Sequence, residues 1–254
     1  MSLNHNTSQN DPYNGSMYGN FHNYYHFNNV KSRMNQIEYM DIKLQSKDHI
    51  CLLDVGCNIG DLTVSLCIHI SNRYHCNVSC LAIDIDSELI SKAKLKHSSF
   101  QMASDRRVDL DFHQCDISRT DNFNGLVNLW KLKAGTANTK TFDLICLFSV
   151  SMWLHIHNGT AGFARILANL CTIGNHFIIE PQSWSSYTKA RRRLRKCAAD
   201  LEFPYDDEVC SRNSQHSSTK ELIIHIMRKN GAVLLDQFKF TNWKREILLF
   251  VLSN

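Results

Sequence analysis

From residue 50 onward, short apolar runs alternate with helical stretches, and this alternation constrains the fold more than any other feature of the chain. Strands that alternate with helices predict a largely parallel sheet that is covered by helices on both faces. The pattern predicts strands at residues 50–55, 78–83, 108–113, 142–148, 176–179, 233–240 and 247–252. It predicts helices at residues 62–70, 87–96, 123–132, 161–170, 184–199 and 221–229.

The last two predicted strands are joined only by residues 241–246, without a helix, so they should pair antiparallel. The sequence therefore predicts an α/β fold: a Rossmann-like, doubly wound sheet of seven strands, mostly parallel, with a C-terminal antiparallel pair. Class I methyltransferases share this arrangement, whereas simple dinucleotide-binding domains do not.

The composition is that of a globular protein, since 43% of the 254 residues are hydrophobic and 20% are charged. The three prolines, Pro12, Pro181 and Pro204, mark no linker, so we expect a single domain over residues 21–254. Residues 1–20 are rich in Asn, Ser and Gly, and we expect them to be mobile. We also expect a monomer.

The ten cysteines lie mainly inside apolar runs and never form a C-x-x-C motif, which indicates buried free thiols in a reducing compartment. The N-terminus lacks the basic-then-apolar order of a signal peptide, and no window approaches about eighteen uncharged apolar residues. We therefore expect a soluble intracellular protein without membrane contact. Neither the pair His155 and His157 nor the cluster His75, Cys76 and Cys80 has the spacing of a closed zinc site, so we expect no metal.

A glycine turn follows the first predicted strand, in the segment L-L-D-V-G-C-N-I-G-D at residues 52–61. Gly56 and Gly60 allow the backbone to approach a ligand closely. A dinucleotide-binding turn reads G-x-G-x-x-G, but Asn58 takes the place of the middle glycine. The carboxylate of Asp54 would repel a phosphate and suits a ligand with a cationic amine and a sulfonium, such as S-adenosylmethionine.

Acidic residues also follow the second and third predicted strands. Asp84 can accept hydrogen bonds from both hydroxyls of a ribose. Asp116 can accept one from the adenine amino group, and the backbone of Ile117 can meet the ring. For each acid alone, capping of the next helix is the alternative. Together with the turn, the acids favour S-adenosylmethionine, with a nucleotide-sugar or NAD site as the alternative.

Four aromatic residues, Phe21, Tyr24, Tyr25 and Phe27, lie within seven positions, so this segment either packs on the domain or receives a ligand.

A basic run, K-A-R-R-R-L-R-K, occupies residues 189–196 and carries much of the net charge of +4. At helical spacing, Lys189, Arg192 and Lys196 share one side. We favour contact with an RNA backbone, and a solvated helix face is the alternative.

Three further segments carry a family resemblance. They read Y-G-N-F-H-N-Y-Y-H-F at residues 18–27, S-M-W-L-H at 151–155 and I-E-P-Q-S-W-S-S-Y at 179–187. Together with the glycine turn, they resemble the bicoid-interacting-protein family of RNA methyltransferases. The match runs from about Tyr18 to the C-terminus, and the E-P-Q-x-W-x-x-Y segment is its most specific part.

The resemblance implies methylation of the 5′-terminal phosphate of RNA. The family has a large nuclear branch that acts on triphosphate ends, and a short cytoplasmic branch that acts on 5′-monophosphate ends of histidine transfer RNA and precursor microRNAs. The length and the G-N-F opening resemble the short branch, and Asn28 replaces an arginine of the large one. We therefore expect a cytoplasmic RNA 5′-monophosphate methyltransferase that uses S-adenosyl-L-methionine and releases S-adenosyl-L-homocysteine.

By position, the resemblance also implies six cofactor contacts. They are Arg33 at the cofactor carboxylate, Asn58 at the methionine moiety, Asp84 at the ribose, Asp116 and Ile117 at the adenine, and Phe148 beside it. Ser183 stands where the family normally has a proline, which leaves this loop freer.

Methylation of a terminal phosphate needs no strong general base, because the phosphate is already largely a dianion at neutral pH. The site must instead orient the phosphate oxygen and exclude water. The candidate contacts to the phosphate are the donors Tyr24, Tyr25, His26 and His155 and the charges Lys189 and Arg191. Ordinary packing is the alternative for the tyrosines and Trp153, and a satisfied buried imidazole is the alternative for His155.

The fourth strand is not followed by the N/D-P-P-Y/F turn that holds a base amino group, because S-V-S-M-W stands at residues 149–153. This argues against methylation of base amino groups. The residues leave two alternative functions open: methylation of a small molecule or a protein, and RNA binding without catalysis.

Overall fold

The structure is a computed structural model, which describes residues 18–19, 30–44, 48–102, 105–135, 141–197, 218–239 and 245–253. The helices are α1 (Val30–Glu38), α2 (Asp61–Tyr74), α3 (Ser87–Lys96), α4 (Thr120–Ala134), α5 (Ser151–Ile173), α6 (Trp184–Cys197) and α7 (Thr219–Lys229). The strands are β1 (His49–Val55), β2 (Asn77–Asp84), β3 (Val108–Gln114), β4 (Phe142–Phe148), β5 (Gly174–Glu180), β6 (Ala232–Lys239) and β7 (Glu246–Leu252).

The strands form one sheet in the order β3-β2-β1-β4-β5-β7-β6. Strands β1 to β5 run parallel, and β7 pairs antiparallel with both β5 and β6. The predicted fold class and the predicted C-terminal antiparallel pair are therefore confirmed. The direction of strand order reverses between β1 and β4, and a crevice at the carboxyl ends of the strands is expected at such a point.

Helices cover both faces of the sheet, so the central strands are buried on both sides. In β1, Leu52 belongs to the apolar core under α1, α2 and α3, and Leu53 belongs to the core under α4, α5 and α7. In β4, Leu144 and Ile145 alternate in the same way. Successive side chains of a strand point to opposite faces, which explains why these strands read as continuous apolar runs.

Two helical features differ from the prediction. Helix α1 was not predicted, because its apolar side is small and includes the buried Arg33. Helix α5 begins at Ser151, ten positions before the predicted start at residue 161. The chain is kinked at Gly159, where φ is 63° and ψ is 176°, and this interruption hides the first half of the helix from a periodicity analysis.

The eight cysteines whose side chains the structure describes are free thiols, and seven of them are buried, as the sequence predicts. Among the helices described here, none is both long enough and apolar enough to cross a membrane.

Candidate active site

A cleft opens where β1, β2 and β4 end. Six of the nine predicted cofactor contacts line it: Arg33, Asp54, Gly56, Asn58, Asp84 and Phe148. Its other lining residues are Tyr18, Gly19, Leu62, Ser149, Val150 and Trp153. The structure therefore brings together residues from three neighbouring strands, from the turns after β1 and β4, and from α1.

The glycine turn after β1 forms one wall of the cleft. The backbone N–H of Gly56 donates to the carbonyl of Ile83, 2.8 Å away, which ties the turn to β2. Gly56 has a φ of 79°, and a Cβ at this position would lie 2.9 Å from a methyl group of Val150. A side chain would therefore be strained and would also meet the next wall of the cleft.

Two buried carboxylates face the same space. Asp54 accepts a hydrogen bond of 2.5 Å from Oγ1 of Thr63 in the first turn of α2. Asp84 accepts backbone N–H bonds from Asn58, at 2.9 Å, and from Asp86, at 3.0 Å. These bonds fix both acids at the strand ends.

Burial raises the pKa of Asp54 to about 6, and it raises the pKa of Asp84 to about 6 as well. Each carboxylate loses water on burial, and the charge of Asp84 adds to the effect on Asp54. A cationic ligand in the cleft would favour the ionised forms. The electrostatics therefore suit a ligand that carries positive charge at this end.

A buried ionic cluster forms the side of the cleft next to α1 and the turn after β4. Nη2 of Arg33 is 2.8 Å from Oε2 of Glu180, and the two side chains are 1% and 0% exposed. Arg245 is the residue directly before β7, and its Nη1 lies 3.9 Å from the same carboxylate oxygen. Two guanidinium groups therefore share one carboxylate, and the sum of these three charges is positive.

The hydroxyl of Ser149 joins this cluster to the cleft. Its oxygen accepts hydrogen bonds from Nη2 of Arg33, at 2.7 Å, and from Nη1 of Arg245, at 2.6 Å. The hydroxyl donates in turn to Glu180. A serine hydroxyl has one donor and two acceptor positions, so all three are used. Ser149 has a φ of 57°, which places it in the left-handed region as the chain leaves β4.

Gln182 completes the turn after β4. Its Oε1 accepts hydrogen bonds from Oγ of Ser151 and from the backbone N–H of Met152, and its amide donates to the carbonyl of Ser149. The carbonyl of Gln182 accepts a hydrogen bond of 2.6 Å from Oγ1 of Thr219. The E-P-Q segment therefore holds this wall together.

Three predicted cofactor contacts do not line the cleft. Gly60 lies at the start of α2, with a φ of 82°. Asp116 accepts hydrogen bonds from the backbone and the hydroxyl of Ser118 and lies 3.5 Å from Arg119. The side chain of Ile117 is buried in the core beside α4. A role in adenine binding for Asp116 and Ile117 stays a prediction.

His155 is buried, with an exposed fraction of 1%. One ring nitrogen is 3.0 Å from the hydroxyl of Tyr187, and the other is 3.1 Å from Oγ1 of Thr160. The ring stacks on Phe163, with the centroids 5.2 Å apart. This environment favours a satisfied buried imidazole over direct contact with a phosphate.

The basic run lies on α6. Ala190 and Leu194 are buried on its inner side, whereas Lys189, Arg192 and Arg195 are exposed and Arg191 is partly buried. The predicted aromatic contacts Tyr24 and Tyr25, like His26, lie outside the described residues. Contact of Lys189 or Arg191 with a phosphate stays a prediction.

An aromatic wall borders the cleft on the α5 side. Tyr18 stacks on His157 with the ring centroids 4.2 Å apart, and the ring of Trp153 lies 6.2 Å from the same histidine. Gly19 packs against the indole of Trp153. Among the residues placed by the structure, no group of three His, Cys, Asp or Glu side chains is arranged to hold a metal ion.

Sequence reasoning missed four members of the site: Ser149, Glu180, Gln182 and Arg245. Two of them stand in the E-P-Q segment, which the family resemblance had marked without giving it a role. Arg245 belongs to no sequence motif that would have marked it as a site residue.

The comparisons with known proteins agree with this geometry. A family model described as Bicoid-interacting protein 3 matches residues 142–251. A pre-miRNA 5′-monophosphate methyltransferase of Xenopus laevis is 32% identical over 248 residues, which cover 92% of this chain and 91% of that protein. The chain belongs to the bicoid-interacting protein 3 family. The predicted family membership is confirmed.

Two further relatives extend the comparison. The pre-miRNA 5′-monophosphate methyltransferase of Danio rerio is 30% identical over 245 residues, with 92% of this chain and 91% of that protein covered. The RNA 5′-monophosphate methyltransferase of Homo sapiens is 29% identical over 206 residues, with 78% and 66% covered.

Solved structures of methyltransferases share the fold. The N-methyltransferase NodS from Bradyrhizobium japonicum WM9 superposes with a TM-score of 0.53 at 12% identity, covering 89% of this chain and 98% of that one. The magnesium protoporphyrin IX methyltransferase ChlM from Synechocystis, with bound S-adenosylhomocysteine, gives 0.52 at 16% identity, with 90% and 83% covered. These likenesses show the class I methyltransferase fold.

Proposed function

We propose that this protein is an RNA 5′-monophosphate methyltransferase that uses S-adenosyl-L-methionine. One observation carries the proposal: the cleft at the β1/β4 switch point has two buried carboxylates, Asp54 and Asp84, on one side and the cluster of Arg33, Ser149 and Glu180 on the other. Family membership and the names of the relatives support the same activity.

The charges of the cleft fit the cofactor. S-Adenosylmethionine has two cationic groups, the ammonium and the sulfonium, and one carboxylate. Asp54 and Asp84 suit the cations and the ribose hydroxyls, while the positive cluster around Arg33 suits the carboxylate. The turn at Gly56 leaves room for close approach of the ligand. When bound, the cofactor supplies the methyl group, and S-adenosylhomocysteine is its product.

The protein's own residues have a task of orientation. A terminal phosphate is largely dianionic at neutral pH, so no side chain has to remove a proton from it. The buried network of Ser149, Glu180 and Gln182 holds the wall beside the reacting groups rigid. Rigid placement of the phosphate oxygen and exclusion of water are what such a displacement requires.

The RNA lies, in this proposal, along the exposed basic side of α6. Lys189, Arg192 and Arg195 offer positive charge directly after the segment that contains Gln182. Basic side chains at helical spacing suit the phosphates of an RNA backbone. We also propose that the protein acts in the cytoplasm, as a monomer, on histidine transfer RNA and precursor microRNAs.

The decisive experiment compares one RNA with a 5′-hydroxyl, a 5′-monophosphate or a 5′-triphosphate end. Each is incubated with the protein and labelled S-adenosylmethionine, and the 5′ nucleotide is analysed by mass spectrometry. Each methyl group should add about 14 Da, the mass of CH2, to the monophosphate RNA before the mass of the label is counted. The hydroxyl RNA should gain nothing. Asp84→Asn should lower cofactor affinity, with Asp109→Asn on the exposed edge strand β3 as the matched control.

Other results would overturn the proposal. Incorporation that does not depend on the RNA end would indicate a small molecule or a protein as the acceptor. Salt-sensitive RNA binding without cofactor affinity, unchanged by Asp84→Asn, would indicate a binding module with this fold.

A further inference from the structure

We propose that Arg245 binds the 5′-terminal phosphate of the RNA and thereby makes the enzyme select phosphorylated ends. This inference rests on the function proposed above and assigns a residue that the sequence alone did not indicate.

The position of Arg245 follows from the direction of β7. Because β7 runs antiparallel to β5, with Ile179 opposite Leu248, the start of β7 lies at the carboxyl edge of the parallel strands. Arg245 directly precedes β7 and lies near Glu180 at the end of β5. It therefore lies at the same edge of the sheet as the cleft.

The side of the cleft also matters. The proposed cofactor contacts Asp54 and Asp84 end β1 and β2, whereas Arg245 belongs to the β5 and β7 side. Ser149, at the end of β4, lies between them and accepts a hydrogen bond from Arg245. The group that receives the methyl must approach from the side that the cofactor leaves open, and Arg245 lies on that side.

The cluster of Arg33, Arg245 and Glu180 has a net charge of about +1, because two guanidinium groups face one carboxylate. Arg33 and Arg245 share Glu180, whose carboxylate is 0% exposed. Arg33 lines the cleft on the cofactor side and is 1% exposed, whereas the side chain of Arg245 is 25% exposed. With Arg33 assigned to the cofactor carboxylate, Arg245 is the member of the cluster that remains accessible to a second anion.

The guanidinium of Arg245 has donors to offer. Its hydrogen bond to Ser149 uses Nη1, and within the described part of the chain neither Nε nor Nη2 has a hydrogen-bond partner. A guanidinium can give two parallel hydrogen bonds to a phosphate while a third holds it in place. The bond to Ser149 orients the group beside the cleft before the RNA arrives.

A single strong cationic contact also fits the chemistry. Several cations on the phosphate would lower the nucleophilicity of its oxygen, whereas one contact orients it. The exposed charges of α6 are suited to the rest of the backbone. Arg245 and α6 are thus expected to recognise different features of the RNA: its terminal phosphate and its overall charge.

The test measures preference for a phosphorylated end. Two RNAs that differ only in a 5′-monophosphate or a 5′-hydroxyl are titrated by fluorescence anisotropy with saturating S-adenosylhomocysteine, and the ratio of their dissociation constants is determined. Arg245→Gln should reduce this ratio by about tenfold to a hundredfold, the effect of losing a charge-assisted contact. Arg245→Lys keeps the charge but loses the two parallel donors of the guanidinium, so its ratio should lie between those of the wild type and Arg245→Gln. Arg228→Gln, an exposed arginine at the end of α7, is the matched control.

Calorimetry with S-adenosylhomocysteine separates the outcomes. The proposal expects both variants to bind this ligand within about twofold of the wild-type affinity. An unchanged ratio in a variant that still binds the ligand would overturn it. So would a parallel loss of ligand affinity, which would make Arg245 a support of the cofactor site through Ser149. If Arg245→Gln does not fold, Arg245→Lys decides. A wild-type protein without any preference would instead refute the proposed function itself.

Discussion

Oε1 of Gln182 and Oγ of Ser151 are 2.9 Å apart, although 31 positions separate the two residues. The same Oε1 accepts the backbone N–H of Met152, so Gln182 satisfies the start of α5, where Val150 provides no side-chain cap. The amide group of Gln182 donates to the carbonyl of Ser149. One side chain therefore fixes both the helix start and the cleft wall.

Replacing Gln182 should weaken both. Gln182→Ala leaves the buried N–H of Met152 and the carbonyl of Ser149 without their partner, so the free energy of unfolding should fall by about 2 kcal/mol. Affinity for S-adenosylhomocysteine should fall as well, because the backbone from Ser149 to Met152, which forms this wall of the cleft, loses the side chain that holds both of its ends. Urea denaturation and calorimetry measure the two effects, with Gln237→Ala on the exposed part of β6 as the control. Equal stabilities for Gln182→Ala and wild type would contradict this role.

The buried carboxylates predict a specific dependence on pH. Burial raises the folded-state pKa of Asp54 to about 6, above the ordinary value near 3.9. Between these pH values the folded protein binds more protons than the unfolded chain, so this contribution to stability is lost as the pH rises. The melting temperature of the ligand-free wild type, relative to that of Asp54→Asn, should therefore fall from pH 4 to pH 7. A difference that rises over this range would refute the assignment.

Ligand binding should show the opposite trend at the same groups. The ammonium group of S-adenosylhomocysteine favours the ionised carboxylates, so the affinity for this ligand should increase as the pH rises through about 6. Below this pH, binding should release protons. Calorimetry in two buffers with different heats of ionisation counts these protons, and uptake of protons on binding would be inconsistent with the proposed charge pairing.

Gly19 is expected to tolerate no side chain. Its φ is 74°, and an added Cβ would clash with the indole of Trp153. Gly19→Ala should therefore displace Tyr18 and Gly19 from this wall and lower ligand affinity by about tenfold or more, since backbone strain alone is worth about 1–2 kcal/mol. In Gly125→Ala the new Cβ meets no atom within 4 Å, and this helical control should keep wild-type affinity. Wild-type affinity in Gly19→Ala would show that the contact with Trp153 is dispensable.

Variants of His155 distinguish a structural role of this residue from direct contact with the RNA phosphate. His155→Phe removes the partners of Tyr187 and Thr160, so stability should fall by about 1–3 kcal/mol. A double-mutant cycle with Tyr187→Phe should show coupling of about 1 kcal/mol. Because the ring does not line the cleft, the preference for phosphorylated RNA should persist. Loss of that preference in a variant of unchanged stability would restore His155 as a phosphate contact.

The exposed charges of α6 should act without regard to the RNA end. Lys189→Gln and Arg192→Gln should each weaken RNA binding and reduce the salt dependence of log K by about one. Both RNAs, with or without a 5′-phosphate, should be affected equally. Lys229→Gln at the end of α7 is the matched control. An effect confined to phosphorylated RNA would move these residues into the phosphate site.

Much of the fold was predictable because its signals are local. The predicted α3 agrees with the structure at both ends, residues 87 and 96, and β4 agrees at residues 142 and 148. The first half of α5 was missed because Gly159 interrupts its periodicity. Helix α1 was missed because the residue that anchors it, Arg33, is a buried charge and not an apolar side chain.

The sequence by itself determined the alternation of strands and helices, the glycine turn and the acids that end β1 and β2, since each depends on residues within one short segment. Only the tertiary structure decided which charges meet. Arg33 reaches Glu180 across 147 positions, and Ser149 joins both to Arg245. The partner of a buried charge depends on strand order and direction, and these emerge only when the whole sheet is assembled.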